Sequence, residues 1–308
     1  MDVPRLRPLQ VGEILDAAIK IYRSHFTTLV KAVAVVVAPV QVLSAIVQVS
    51  VPSDTIVTTD QFTGETTFDV PSFIGTMVAL LGTGLLGFIA SQLATATSLK
   101  VISSSYLGET EDWRTSLQFA VSRLGPLIWL AIITVVLGGL ALLACIIPGI
   151  YLFVAWSVGI PALLLEDRRG RHALRRSREL VRGRWWPVLG CLVVSLLLGG
   201  IVSGAFQGVL TAVTFGTDNV VIVALASAVA AIASSVLVTP FTAGVVAVLY
   251  FDLRVRKEGF DLELLARSIG AEPPAGGDSW PADDPSPTGA GGEQPPFWPP
   301  PPGWRPGG

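Results

Sequence analysis

Charge is scarce in this chain: Asp, Glu, Lys and Arg make up 14% of its 308 residues, where soluble globular domains carry about 25%. With 51% hydrophobic residues, that deficit excludes an ordinary soluble domain. Histidine and cysteine are nearly absent, two of each. His25 and His172 sit beside basic residues at the edges of apolar runs, and no set of residues has zinc-ligand spacing. A nucleophile elbow, a glycine-rich phosphate loop and a zincin motif are also missing. No metal and no cofactor is therefore expected, and the protein reads as a non-enzyme. An embedded enzyme would need a cluster of carboxylates or histidines that the chain does not supply. Cys145 and Cys191 fall at opposite depths, out of disulfide reach, and read as small apolar side chains. A formal net charge of −2 and the lack of any DNA- or RNA-binding motif exclude nucleic acid as a partner.

What the chain has instead is apolar length. A helix crossing a hydrocarbon core of about 30 Å needs about 20 apolar residues, and six stretches qualify: 27–51, 71–100, 125–147, 149–165, 187–215 and 220–253. The second and sixth exceed a perpendicular span and should tilt or protrude. No basic, apolar and small-residue order precedes the first stretch, so it is expected to stay in the mature protein. Residues 1–270 read as one membrane domain. Residues 271–308 hold 12 of the 22 prolines and 8 of the 31 glycines, a composition that cannot build a core and predicts a disordered cytoplasmic tail. Its Pro295 to Pro302 run favours extended polyproline conformations and reads as a solvated tail or a docking peptide.

All 21 basic residues fall on one side: before span one, with Lys31 just inside its start, at the end of span two and before span three, between spans four and five, or after span six. The remaining loops, around Asp54 to Asp69, Pro148 and Asp218, have none. Short basic loops stay in the cytoplasm, so the expected location is the plasma membrane with both termini inside. The acidic outer loop carries Asp54, Asp60, Glu65 and Asp69, whose spacing matches no calcium loop.

Each inner segment leading into an odd-numbered span is amphipathic. Val11, Ile14, Leu15, Ala18 and Tyr22 share a face; so do Trp113, Leu117, Ala120, Val121 and Leu124. In the third segment Ala173, Leu174, Ser177, Leu180, Val181 and Trp185 lie opposite Arg171, Arg175, Arg178 and Arg182. Such helices are expected in the cytoplasmic headgroup plane. Equating Arg23, Arg123 and Arg184 brings Asp16, Ser116 and Ser177 together. That register is what three pseudo-repeats of an interfacial helix plus a two-span hairpin would give; boundary chemistry recurring independently would give it too.

Within the spans, Gly200, Gly204 and Gly208 recur every four residues and predict close packing, against Ser227, Ala231 and Ser235 of span six or against a second copy of the chain. Pro39, Pro161 and Pro240 should kink their helices and free backbone carbonyls. Gln41, next to Pro39, is the most central strong polar side chain, and a cavity near Pro39 and Gln41 is where a carrier would hold lipid or another amphiphile. No acidic residue lies at mid-depth, which argues against ion-coupled transport.

The densest local signal is Arg168, Arg169, Arg171, Arg175, Arg176, Arg178, Arg182 and Arg184, followed by Trp185 and Trp186. Each basic residue near an anionic leaflet contributes about 1 kcal/mol of attraction, and tryptophan suits the headgroup layer. The segment reads as a topology anchor or as a contact for anionic lipid headgroups or a cytoplasmic partner protein. Glu166 and Asp167 adjoin it and are expected to pair with it. Beyond span six, Asp252 with Arg256, Arg254 with Glu258 and Lys257 with Asp261 are i, i+4 pairs that prolong the helix. This charged end is expected to dock against Glu13 and Asp16.

Gly12-Glu13-Ile14-Leu15-Asp16 through Tyr22-Arg23-Ser24-His25-Phe26, Ala173-Leu174-Arg175-Arg176-Ser177 through Gly183-Arg184-Trp185-Trp186, and the segment Tyr250 to Leu265 resemble recurring segments of a family of bacterial, especially actinobacterial, multispan proteins. That family is similar to the membrane domain of glycerophosphoryl diester phosphodiesterases. In phosphodiesterase members the chemistry belongs to a separate soluble domain with His and carboxylate metal ligands. These 308 residues hold no counterpart of it, so the resemblance implies a membrane domain without that activity. The expected fold is an all-α polytopic membrane helix bundle of six transmembrane helices with three cytoplasmic interfacial amphipathic helices. The expected function is a scaffold or regulatory component of envelope or lipid metabolism, with an amphiphile transporter as the alternative.

Overall fold

The computed structural model describes residues 9–50, 57–59, 66–106, 112–167, 170–217 and 219–259. Arg168, Arg169, Asp261, most of the acidic outer loop and the proline-rich tail lie outside the described residues. In chain order the elements are α1 (Val11–Ser24), α2 (Phe26–Ser50), β1 (Val57–Thr59), β2 (Thr66–Phe68), α3 (Val70–Tyr106), α4 (Trp113–Ser122), α5 (Leu124–Ala144), α6 (Ile146–Ala155), α7 (Gly159–Glu166), α8 (Arg171–Val181), α9 (Trp185–Thr214) and α10 (Val220–Glu258). The architecture is helical, with one small antiparallel ribbon where a loop was expected, pairing Val57 with Phe68 and Thr59 with Thr66. Six helical segments are long and apolar enough to cross a membrane: α2, α3, α5, α6 with α7, α9 and α10.

The fourth span is broken. α6 ends at Ala155 and α7 starts at Gly159, which places Pro161 in the first turn of α7. A proline there lacks an N–H that the first turn does not need, whereas in mid-helix it would clash with the preceding turn. The break withdraws Gly159 N from Ala155 O and turns it to Trp156 O at 3.0 Å. Ser177 Oγ, from α8, donates to the freed Ala155 carbonyl at 2.8 Å. Pro39 and Pro240, by contrast, sit inside helices that continue past them.

α10 is the central post, packing against α2, α9, α3 and α1. Its last turns are the best buried part of the molecule: Leu249, Tyr250, Phe251 and Leu253 join Ile14, Ala18, Leu180 and Val181 in one cluster. A neighbouring cluster gathers Leu29, Leu99, Ile102, Leu127, Leu163 and Leu174. At the other end of α10 the packing thins to the small contact of Ala45, Ala224 and Ala228. Large apolar side chains such as Leu81, Leu143 and Leu196 point outward from α3, α5 and α9, as lipid-facing positions do.

Three times the chain runs through a short amphipathic helix, a break of one to three residues, and two spans. The apolar faces of the short helices are covered by the bundle itself: Ile14 and Ala18 of α1, Ser116 and Ala120 of α4, and Ala173, Leu174, Ser177, Leu180 and Val181 of α8 are all buried. Val121, expected on the covered face of α4, is exposed. Asp16 is exposed, whereas Ser116 and Ser177, with which the equated arginines align it, are buried.

Candidate functional site

The end of the bundle that carries the short amphipathic helices is tied by a network around Glu166, the last residue of α7. Asp167 follows in the left-handed region, at φ 54°, and turns the chain toward α8. Arg176 then grips Glu166 with two hydrogen bonds, Nε to Oε2 at 2.7 Å and Nη2 to Oε1 at 3.0 Å. Tyr250 Oη donates to Glu166 Oε1 at 2.6 Å, and Arg254 Nε lies 3.8 Å from the same oxygen. Glu258 completes the set, pairing with Arg176 and, at 3.1 Å, with Arg254. Burial alone would lower the Arg176 guanidinium, but the hydrogen bonds and charges of Glu166 and Glu258 outweigh it and raise it above its ordinary value. Lys257 Nζ donates to the Glu179 carbonyl, and Arg123 pairs with Asp167. Glu166 pairs with the arginine segment as expected, through Arg176, whereas Asp167 pairs with Arg123, which lies outside that segment.

A second clamp joins α10 to the segment before α1. Asp252, 5% exposed, accepts from Leu9 N at 2.7 Å and from Arg256 Nε at 2.9 and 3.1 Å. Arg256 Nη2 donates to the Leu9 carbonyl at 2.6 Å. The charged end of α10 thus docks at the Leu9 peptide, whereas Glu13 closes the capping box of α1 by accepting from Gln10 N at 2.8 Å. The expected pairs of Asp252 with Arg256 and Arg254 with Glu258 are both formed.

These contacts sort the arginine segment into two groups. Arg176 is taken into the network, half-buried, and does not belong with the contact surface. Arg184 precedes α9, half-buried, with its N–H on the Val181 carbonyl at 2.9 Å. Arg171, Arg175, Arg178 and Arg182 remain exposed along α8; Arg175 carries a 2.9 Å ion pair to Glu179. Trp186 is 76% exposed at the start of α9. Trp185 is folded back, stacked on Tyr151 with ring centroids 6.2 Å apart. Sequence spacing could place Arg176 off the outward face only through the depth of its partner Glu166, an inner-end acid with no solvent-side reason to be there.

The cavity expected near Gln41 is present. It has a volume of about 370 Å³ and lies between α2, α9 and α10, lined by Gln41, Gln48 and Gln207 with serines from all three helices, among them Ser44, Ser203 and Ser234. Pro39 is exposed on another face of α2 and does not line it. Gly200, Gly204 and Gly208 do not pack against α10 either: a Cβ at any of them would meet nothing within 4 Å. The close approach of α9 to α10 is one residue earlier, at Gly199, where a Cβ would come within 2.9 Å of Val238 Cγ1. A spacing of four fixes a stripe but not the direction in which it faces, and here the stripe faces away from the bundle. Among the described residues no group of three His, Cys, Asp or Glu side chains could hold a metal ion.

Six membrane-length helices joined end to end, with their short amphipathic helices locked under one end, define a multi-pass helical membrane protein. The chain belongs to the family described as "Domain of unknown function (DUF7847)", whose model matches residues 9–253. Those limits take in Leu9 and Asp252 of the second clamp but not Arg256. No curated protein and no solved structure matches the chain.

Proposed function

We infer that the protein is a non-catalytic scaffold or regulatory component of envelope or lipid metabolism in the plasma membrane, with both termini cytoplasmic. Its basic inner face engages anionic headgroups or a partner protein. The observation that carries this reading is the two-sidedness of α8: five apolar or small residues fully covered by the bundle, and Arg171, Arg175, Arg178 and Arg182 exposed together beside Trp186. A helix already formed and covered on one face by its own fold presents those guanidinium groups without the cost of ordering its backbone at the moment of contact. The confinement of basic residues to alternate loops supports the orientation, and the resemblance to phosphodiesterase membrane domains supports the link to lipid.

The test is lipid retention by the full chain purified in mild detergent. Replacing Arg171, Arg175, Arg178 and Arg182 together by Ala removes about 1 kcal/mol of headgroup attraction per residue. Bound phosphatidylglycerol should fall at least tenfold by native mass spectrometry. Unchanged retention would reduce the arginines to a topology signal. A second reading, carriage of an amphiphile, is favoured by the glutamine-lined cavity.

A further inference from the structure

α1 runs along the second half of α10 in the opposite direction. Leu9, just before α1, is held by Asp252, and a Cβ on Gly244 would lie 3.8 Å from Ala18. One turn further along α1, Ile19, Tyr22 and Arg23 come level with Phe241, and there α1, α9 and α10 leave a cavity of about 370 Å³ that shares no lining residue with the glutamine-lined one. Its α9 and α10 walls are apolar throughout, with Leu198, Gly199 and Val202 on one and Leu237, Val238 and Phe241 on the other. Ile19 and Leu198 are exposed, which opens the cavity at the surface of the bundle.

Arg23 brings the one charge in this lining, and no acid lines it. Among the described residues Arg23 has no ion pair or hydrogen bond, and Tyr22 Oη has no hydrogen-bond partner. The Tyr22 ring is packed edge-on against Phe26 with centroids 5.4 Å apart. Arg123, which closes the short helix of the second unit, has a carboxylate to pair with, that of Asp167. Asp16, the acid nearest to Arg23 on α1, stands two turns back. A guanidinium beside apolar walls attracts an anion more strongly than one in open water, and its fork matches the two oxygens of a carboxylate, with the Tyr22 hydroxyl as a further donor. A phosphodiester headgroup would add glycerol oxygens for which the lining has no polar partner. Lipid tails are as apolar as these walls, so fit holds the chain and charge decides the head.

We propose that this cavity binds one long-chain fatty acid, its carboxylate on Arg23 and Tyr22 and the first part of its chain between Leu198, Val202 and Phe241, the remainder lying in the bilayer. The site is separate from α8 and independent of the orientation proposed above. The variant with Arg171, Arg175, Arg178 and Arg182 replaced by Ala should therefore keep the fatty acid while losing phosphatidylglycerol.

The experiment adds oleate, methyl oleate or phosphatidylglycerol to the full-length chain in detergent and counts bound molecules by native mass spectrometry. One oleate per chain is expected, with the methyl ester, which has no charge to offer Arg23, retained at least tenfold less. Arg23→Gln, at an exposed position, should lower oleate retention at least tenfold, and so should Val202→Trp, which fills the apolar part. An oleate analogue with a diazirine near its carboxyl end should crosslink the unmodified protein at Leu198, Val202 or Phe241, a readout that needs no variant to fold. Equal retention of oleate and its methyl ester, displacement of oleate by phosphatidylglycerol, or crosslinks confined to α3 and α5 would each overturn the proposal.

Discussion

Ser177 does for the structure what no apolar residue of its size could. It is fully buried, and its hydroxyl donates to the carbonyl that the α6–α7 break leaves without an amide partner. Ser177→Ala removes that donor and leaves the Ala155 oxygen buried and unpaired, a loss of about 1–3 kcal/mol. The melting temperature in detergent should fall, with the helical circular dichroism unchanged at low temperature. Glu166 and Arg176 form a more consequential pair, with side chains only 12% and 18% exposed. Arg176→Ala removes two charged hydrogen bonds from Glu166, leaving it to Tyr250 and Arg254, and should cost about 1.5–3 kcal/mol. The double variant Glu166→Gln with Arg176→Ala removes both charges, so in a double-mutant cycle on thermal stability its loss should be smaller than the sum of the two single losses. If the two single losses simply add, the grip between them contributes nothing.

Among the elements, α9 separates what spacing can say from what packing decides. Its four-residue glycine stripe is open, while Gly199 meets Val238. Gly199→Leu should destabilise the bundle by about 1–3 kcal/mol through overpacking, whereas Gly204→Leu should leave melting unchanged. If Gly204→Leu instead shifts the protein to a smaller species in light scattering, the open stripe is where two copies meet. The α5–α6 hairpin is tighter still, since a Cβ on Gly149 would lie 2.6 Å from the Leu142 Cα. Gly149→Ala should therefore reduce the yield of folded protein. Nothing in the sequence around Pro148 distinguishes that glycine from the open ones, because the contact depends on how sharply Cys145 lets the chain reverse.

For the whole molecule, direction in the membrane is the decisive expectation, and a native residue tests it. Cys145 is exposed between α5 and α6 and Cys191 is buried. A membrane-impermeant maleimide should label Cys145 in intact cells. In a Cys145→Ala background, Arg171→Cys should react only after the membrane is opened. Labelling in the reverse pattern would place the arginine face outside. Most of the large-scale plan was legible beforehand: the span ranges fall within a few residues of the helices, except that α3 and α10 run on at their C-terminal ends to Tyr106 and Glu258. The buried face of α8 coincides with its apolar stripe. The exposure of Asp16, the open glycine stripe and the exposure of Pro39 were not legible, because each depends on which neighbour a helix face meets. Gln41 could be picked out as the central polar group, but Gln48, Gln207 and the serines beside it come from helices whose relative rotation no spacing records.

The sequence by itself determined six apolar lengths, the segregation of basic residues to alternate loops and the amphipathic helix before each odd span. These follow from local transfer energies, which act on each segment separately. Tertiary structure alone decided that the amphipathic faces are covered by protein, that Arg176 turns to Glu166 while its neighbours stay out, and that α2, α9 and α10 enclose a glutamine-lined cavity. Inside a bilayer the surrounding lipid is as apolar as the helix surfaces, so hydrophobicity does not choose between facing lipid and facing another helix. Steric fit and buried hydrogen bonds make that choice, and both depend on residues far apart in the chain.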